Sequence, residues 1–551
     1  MGVEEGVQSE AFAVRGNLVD VVEGRIFPAQ VTISQGRIAS IAPVAGDQGV
    51  YLTPGLVDSH VHVESSMLEP CEFARAALAH GTLGAVCDPH EIANVLGVEG
   101  VLFMLGRARS SPFRFSFGAP SCVPATPFET SGAALGADQV RSLLERDDIT
   151  HLSEVMNYPG VVAGDVGLLE MISAAKRLGK PIDGHAPGLS GQALATYVSR
   201  GITTDHEVTS LGEAMEKISL GMRILVREGS AAKDFQALHR LIERHGPMCM
   251  FCSDDIHPDD LVRGHIDSLV RRAVRMGHDP VQVLRCASLN PVRHYRMDLG
   301  LLRLGDHADF LVVRDLQEFR VERAYLRGRL VAQGGTALVG RDRPEPVNRF
   351  EARRISSSDI EVPARGGRML VIEAEDGSLV TGRAVVKPRV ESGLVRSDPV
   401  GDVLKIVVVN RYRDQAPAVA FARGFGLASG AIASSVAHDS HNIVAVGVQD
   451  EDICAAVDAV MGGGGGIALA AGGRVECLGL PVAGLMSDLE AQEVAGRFAR
   501  LNDMAGSLGS PLASPFITLS FMALLVIPSL KLSDRGLFDS ERFAFTSLWD
   551  A

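Results

Sequence analysis

Residues 52–70 read LTPGLVDSHVHVESSMLEP. The apolar start of this stretch has strand character and delivers His60 and His62 with one residue between them. Successive side chains of a strand point to opposite faces, so residues two apart share a face and both imidazoles project the same way. This is how one strand supplies a metal ion with two ligands. Taken alone, the pair equally describes two polar side chains at a strand end. The rest of the chain has to decide.

Working outward, residues 53–302 alternate strand-like runs with amphipathic stretches. Eight candidate strands stand out: GLVDSHVHV from 55, TLGAVCD from 82, FRFSFGAPS from 113, ITHLSEVM from 149, PIDGHA from 181, ITTDHE from 202, RILVREG from 223 and MCMFCSDD from 248. Helical patterns such as EFARAALAH, VGLLEMISAAKRLG and LSGQALATYVSR lie between them. Eight β/α repeats over this length predict a TIM-type (β/α)8 barrel, whose strands present their C-terminal ends at one mouth. The polar residues fall at those ends. Strand one carries His60 and His62, strand four Glu154, strand five His185, strand six His206 and strand eight Asp254. Four imidazoles and two carboxylates suffice for two divalent ions if Glu154 bridges them, and the donor set suits manganese, iron or zinc.

Other signals stay open at this stage. Asp88, His90 and Glu91 in DPHEIANVLG can contact a substrate at the mouth or simply start a helix. The same two readings hold for Arg227 and Glu228 at the end of strand seven. Asp255 faces away from Asp254 and reads as a supporting or substrate group. His438 and His441 in HDSHN fit a second metal site, a lining of the main pocket or a plain turn. Cys249 and Cys252 have C-x-x-C spacing but sit in a buried-strand pattern. The run Gly462–Gly466 is read as a turn, because no Lys-Ser/Thr follows it as in a phosphate loop.

Short alternating segments before the barrel, AFAVRGNLVDV, RIFPAQVTIS and RIASIAPV, are matched by others after it, GDHADFLVVRDL and RVERAYLRGRLVAQGG. They predict one small discontinuous β-sandwich domain formed by residues 11–52 and 303–342. Beyond Arg343 a charged, Pro-containing stretch reads as a linker to a C-terminal α/β domain, residues 365–551. The fold class is therefore α/β, a barrel with two attached domains.

Composition narrows the function. The chain has 551 residues, 46% apolar and 22% charged, and a net charge of -14, which disfavours nucleic acid as a partner. Eight irregularly spaced cysteines do not form a disulfide framework. The opening MGVEEGVQSE lacks the positive and apolar regions of a secretion signal, and the run FMALLVI from Phe521 is too short to span a bilayer. A cytoplasmic protein with no membrane partner is expected. A homodimer is the base-rate expectation for its assembly.

The motifs PGLVDSHVHVESSM, DPHEIANVLG, PSCVPAT, EVMNYPGV, DGHAPGLSG, REGSAAK, SDDIHPDDL, AHDSHNIVAVG, LPVAGLMSD and PFITLSFMALLVIPSLKLSDRGLFD resemble those of the amidohydrolase superfamily, and within it the bacterial adenine deaminases. The resemblance covers nearly the whole chain. It implies conversion of adenine to hypoxanthine and ammonia at a centre of two divalent metal ions, with His60, His62, Glu154, His185, His206 and Asp254 as ligands. Glu154 stands where many amidohydrolases use a carboxylated lysine. On that reaction Asp254 would move the proton from the attacking water to the departing amine, and His90, Glu91 or Asp88 would supply or relay a proton to a ring nitrogen; Asp88, His90, Glu91 and Arg227 are the candidate substrate contacts by their place at the mouth. Deamination of a modified purine such as N6-methyladenine, hydrolysis of another cyclic amide, and a barrel that holds metal without chemistry are the rivals. Other zinc deaminases carry H-x-E with a later P-C-x-x-C; His62-Val63-Glu64 and Cys249–Cys252 give only fragments of it, since Met248 separates Pro247 from Cys249, and the barrel pattern does not fit that class.

Overall fold

Three alternating segments at the start of the chain fold as β1 (Phe12–Asp20), β2 (Arg25–Ser34) and β3 (Arg37–Pro43), paired antiparallel in that order. The protein is described here by a computed structural model covering residues 11–550. The acidic segment 1–10, relevant to the expectation about secretion, lies outside the described residues. β4 (Tyr51–Pro54) runs parallel to β1 and feeds directly into the first barrel strand, β5 (Leu56–Val61). Gly55 makes that handover. A Cβ there would lie 2.2 Å from Leu83 Cδ1 and 2.9 Å from Leu83 Cβ, inside a fully buried side chain that has no room to retreat.

The remaining barrel strands are β6 (Thr82–Cys87), β7 (Arg114–Ala119), β8 (Ile149–Val155), β9 (Ile182–Gly184), β10 (Thr204–Asp205), β11 (Arg223–Arg227) and β12 (Cys249–Cys252). All eight fall within the segments predicted from sequence. β5 to β9 form one parallel sheet and β10 to β12 another. Backbone hydrogen bonds join the two into a ring. Thr203 N donates to Ile182 O at 2.9 Å on one side, and Asp254 N to His60 O at 2.9 Å on the other. Parallel neighbours need long crossovers, and the amphipathic segments supply them as helices such as Pro70–Ala79, Val166–Arg177 and Gly191–Ser199. Val86, Leu225, Met250, Cys252 and Tyr295 pack together inside the barrel. Cys249 and Cys252 are thus buried residues of β12, and both thiols are free.

After the barrel the chain returns to the first sheet. β13 (Phe310–Val313) pairs antiparallel with β4, and β14 (Val321–Leu326), β15 (Arg329–Gln333) and β16 (Thr336–Ala337) extend it to eight strands. Sequence-distant strands therefore share one sheet around β4.

The C-terminal region holds a second eight-stranded sheet, mixed and built from strands between Met369 and Gly479. The helix Asp450–Gly462 covers one face with Ile453, Ala456, Val457 and Val460. Leu404, Ile406, Ile432 and Val446 on the other face belong to the same apolar cluster as the barrel core, so the two regions are packed together. The glycine run turns that helix into the strand Gly466–Ala471, with a Cβ at Gly465 coming within 2.3 Å of Gly484 Cα. Residues 341–356, read as a linker, form neither helix nor strand, yet they are anchored. Arg411 is fully buried, and a buried guanidinium must find acceptors. It takes Asn348 Oδ1 at 2.8 Å and Ala483 O at 2.9 Å, which fixes the stretch to the C-terminal sheet. No helix among the described residues is long and apolar enough to cross a membrane.

Candidate active site

The seam that closes the barrel also builds the site. Asp254 has a left-handed backbone, φ 60°, and its main chain bonds the residues on either side of Val61: its N–H donates to His60 O, and His62 N donates to its carbonyl at 3.1 Å. Three side chains converge there. His60 Nε2 and His62 Nε2 are 3.3 Å apart and lie 3.4 and 3.2 Å from Asp254 Oδ1. Asp58, one turn of the pleat below, steadies the seam by accepting from Ser253 N at 3.0 Å and His265 Nε2 at 2.8 Å.

Glu154, from β8, stands opposite with its two oxygens facing different partners. Oε2 is 2.7 Å from His185 Nδ1 and 3.2 Å from His206 Nε2, while Oε1 is 3.5 Å from His62 Nε2 and 3.4 Å from His90 Nδ1. The six residues expected as ligands, His60, His62, Glu154, His185, His206 and Asp254, are therefore neighbours in one pocket, all but His185 deeply buried. Burial pushes the Glu154 carboxyl up, but His185 and His206 outweigh it and hold the group well below the usual range. Asp254 is likewise held low against burial, by His206, His60, His62 and Arg227. His185 is pushed up to about 9, burial opposing Glu207 and Glu154.

The residues at the mouth are now placed. The segment DPHEIANVLG both starts a helix, His90–Leu96, and lines the site. His90 Nδ1 is 3.4 Å from Asp88 Oδ2, and its Nε2 is 3.4 Å from Glu91 Oε1. Arg227 lies behind Asp254. Its guanidinium donates to Asp254 Oδ2 at 3.0 Å, to Asp234 Oδ2 at 3.0 Å, and to Glu207, so all its sides are engaged by carboxylates. Asp255 accepts from Ser65 Oγ at 2.5 Å. His438 and His441 reach over from the C-terminal region and each meets an oxygen of Glu91. Sequence reasoning singled out Asp439 together with His438 and His441, but missed Glu207 and Asp234. Glu207 directly follows His206, and β10 is only two residues long, so strand alternation does not carry it out of the site. Asp439, 3.9 Å from His90 Nε2, had only its place between two histidines to mark it.

The donor set fits a divalent metal centre. Buried nitrogen and carboxylate oxygen atoms of His60, His62 and Asp254, of His60, Glu154 and His206, and of His62, Asp88, His90 and Glu154 form groups close enough to share an ion. Asp88 Oδ2 and His90 Nδ1 are buried without hydrogen-bond partners, which is costly unless a further group engages them.

A closed parallel barrel with such a cluster at its mouth defines the amidohydrolase class, and residues 51–331 match the amidohydrolase family model. Residues 378–544 match the model of the adenine deaminase C-terminal domain. Proteins named adenine deaminase from Salinibacter ruber, Sulfurovum sp. and Parabacteroides distasonis are 54%, 52% and 47% identical to this chain. Each alignment covers 97–98% of this chain and 98–99% of the relative. The chain belongs to the amidohydrolase family and, within it, to the adenine deaminases.

Proposed function

We propose that this protein hydrolyses adenine to hypoxanthine and ammonia, using two divalent ions of manganese, iron or zinc. The observation that carries the reading is the grouping of His60, His62, His185, His206 and Asp254 around Glu154 in a chain 54% identical, over nearly its full length, to a protein named adenine deaminase. On this reading His60, His62, His185, His206, Asp254 and Glu154 would hold the ions, with Glu154 between the two sets of imidazoles. Bound ions of this kind supply Lewis acidity, so that water gives up a proton near neutral pH.

The chain's own groups handle the protons. Asp254 Oδ1 takes the proton of the water that adds to C6 of the purine and returns it to the departing amino nitrogen, acting as base and then as acid. Arg227 donates to Oδ2, which keeps Oδ1 turned toward His60 and His62 in the site. His90, favoured in its protonated form by Asp88 and Glu91 although burial opposes it, is placed to give a proton to a ring nitrogen, and it is restored by the proton that the C6 hydroxyl loses as the amine departs. Asp88 and Glu91 orient it and, with it, the purine. Adenine and water are consumed; hypoxanthine and ammonia are released. The same reading treats residues 11–52 with 303–342, 53–302 and 365–551 as three domains.

The test is a product assay on metal-loaded protein. Ammonia and hypoxanthine in equal amounts from adenine support the proposal. Methylamine from N6-methyladenine with no turnover of adenine would reassign the substrate.

A further inference from the structure

The C-terminal region makes one contact with the site that the reaction scheme above does not use. His438 Nδ1 lies 2.6 Å from Glu91 Oε1, and His441 Nε2 meets Glu91 Oε2. A carboxylate only accepts, so each imidazole must present an N–H to its oxygen. All three residues are deeply buried, and Glu91 is otherwise approached by His90, whose Nε2 is 3.4 Å from Oε1.

The loop that carries the two histidines is itself held firmly. It leaves the strand Ala431–Ser434 and enters the strand Ile443–Gly447, and residues 434–442 are all buried. His441 has a left-handed backbone, φ 55°, with its N–H on Ala437 O at 2.7 Å. Tyr412 Oη donates to Ser440 O at 2.6 Å. Asn442 Nδ2 donates to Thr130 O at 2.9 Å, tying the loop to the barrel segment after β7. The His438 ring stacks on Phe521, with centroids 4.9 Å apart and planes within 9°. So much fixation is more than a turn requires.

We infer that the C-terminal domain is a working part of the active site, and that His438 and His441 are positioning residues that clamp Glu91 so that Glu91 and His90 meet the purine in one orientation. A carboxylate offers about four acceptor directions, so two imidazoles leave room for a purine N–H and for His90. Without the clamp, Glu91 is a buried carboxylate free to change rotamer, and its hold on substrate loosens. This rests on the reading that Glu91 faces a purine.

The experiment compares His438→Ala, His441→Ala, His438→Asn and His441→Gln in the metal-loaded full chain, alone and combined with Glu91→Gln. Asn places an amide N–H near the position of Nδ1, and Gln near that of Nε2. Hydrogen bonds to a buried charge correspond to roughly a 10- to 100-fold effect. Each alanine variant is therefore expected to lose about that factor in kcat/KM for adenine, mostly through KM, with hypoxanthine binding weakened in parallel by calorimetry. Bound metal should stay at the wild-type level. The amide variants should recover most of the loss, and in the Glu91→Gln background the alanine changes should cost less than about threefold, because the clamped group is gone. Equal losses in both backgrounds would show a general structural role and overturn the inference. Loss of a metal ion on changing either histidine would also overturn it, since the residues would then be ligands. If wild type does not turn over adenine, the substrate reading fails instead; hypoxanthine binding by wild type and its variants still tests the clamp.

Discussion

Neutralising Glu154 perturbs the site at its centre. Its two oxygens are 2.7 and 3.2 Å from His185 Nδ1 and His206 Nε2, and 3.5 and 3.4 Å from His62 Nε2 and His90 Nδ1. In Glu154→Gln one of those oxygens becomes an amide nitrogen that carries hydrogens and cannot ligate. Whichever way the amide turns, either the His185–His206 side or the His62–His90 side loses its acceptor. Loss of a group that merely supports a ligand typically weakens metal binding 10- to 100-fold; loss of a shared anionic ligand should exceed that, on the order of 1,000-fold or ~4 kcal/mol. The expected result is about one ion per chain after desalting instead of about two, with kcat/KM for adenine down by roughly 1,000-fold or more. Elemental analysis and ammonia release measure the two quantities. In metal-free protein a second readout is available by NMR: His185, held at about 9 against burial by Glu207 and Glu154, should titrate at lower pH in the variant. Two retained ions with turnover within about tenfold of wild type would refute the shared role of Glu154.

Two further outcomes follow from the packing. Lys531 is fully buried against the carbonyls of Leu379 and Phe521, and burial draws it down to about 7. Its unfolded value is about 10.4, so between these values the unfolded chain binds the extra proton and stability rises with pH. The Tm of wild type relative to Lys531→Met should therefore move in favour of wild type from pH 7 to pH 9; a constant difference would contradict this. Gly55→Ala forces a methyl to within 2.2 Å of Leu83 Cδ1 and should destabilise the protein by about 1–3 kcal/mol, read as a lower Tm, whereas an unchanged Tm would show that the β4–β5 junction yields easily.

The barrel was legible because its signals repeat. Each strand segment is short, apolar and followed by an amphipathic helix, and His60 and His62 share a face by simple alternation. That the six expected ligands lie close together follows for the same reason, since strand ends must converge once the ring closes. What sequence could not show was contact between distant segments. Arg227 looked like a mouth residue, but the three carboxylates that surround it come from the segments that follow β10, β11 and β12. His438 and His441 are more than 340 residues from Glu91, and no local pattern links them to it. The stretch 341–356 looked like a linker because its composition is charged. Part of its anchoring comes from one buried arginine, Arg411, whose need for acceptors appears only once it is enclosed, and part from backbone bonds at Val347 and Glu351.

The most direct test is a metal titration. Protein freed of metal by chelation, then supplied with Mn2+ in increments, should form no hypoxanthine from adenine at first and reach full activity at about two equivalents per chain. Full activity in the metal-free protein, or no hypoxanthine at any loading, would contradict the account.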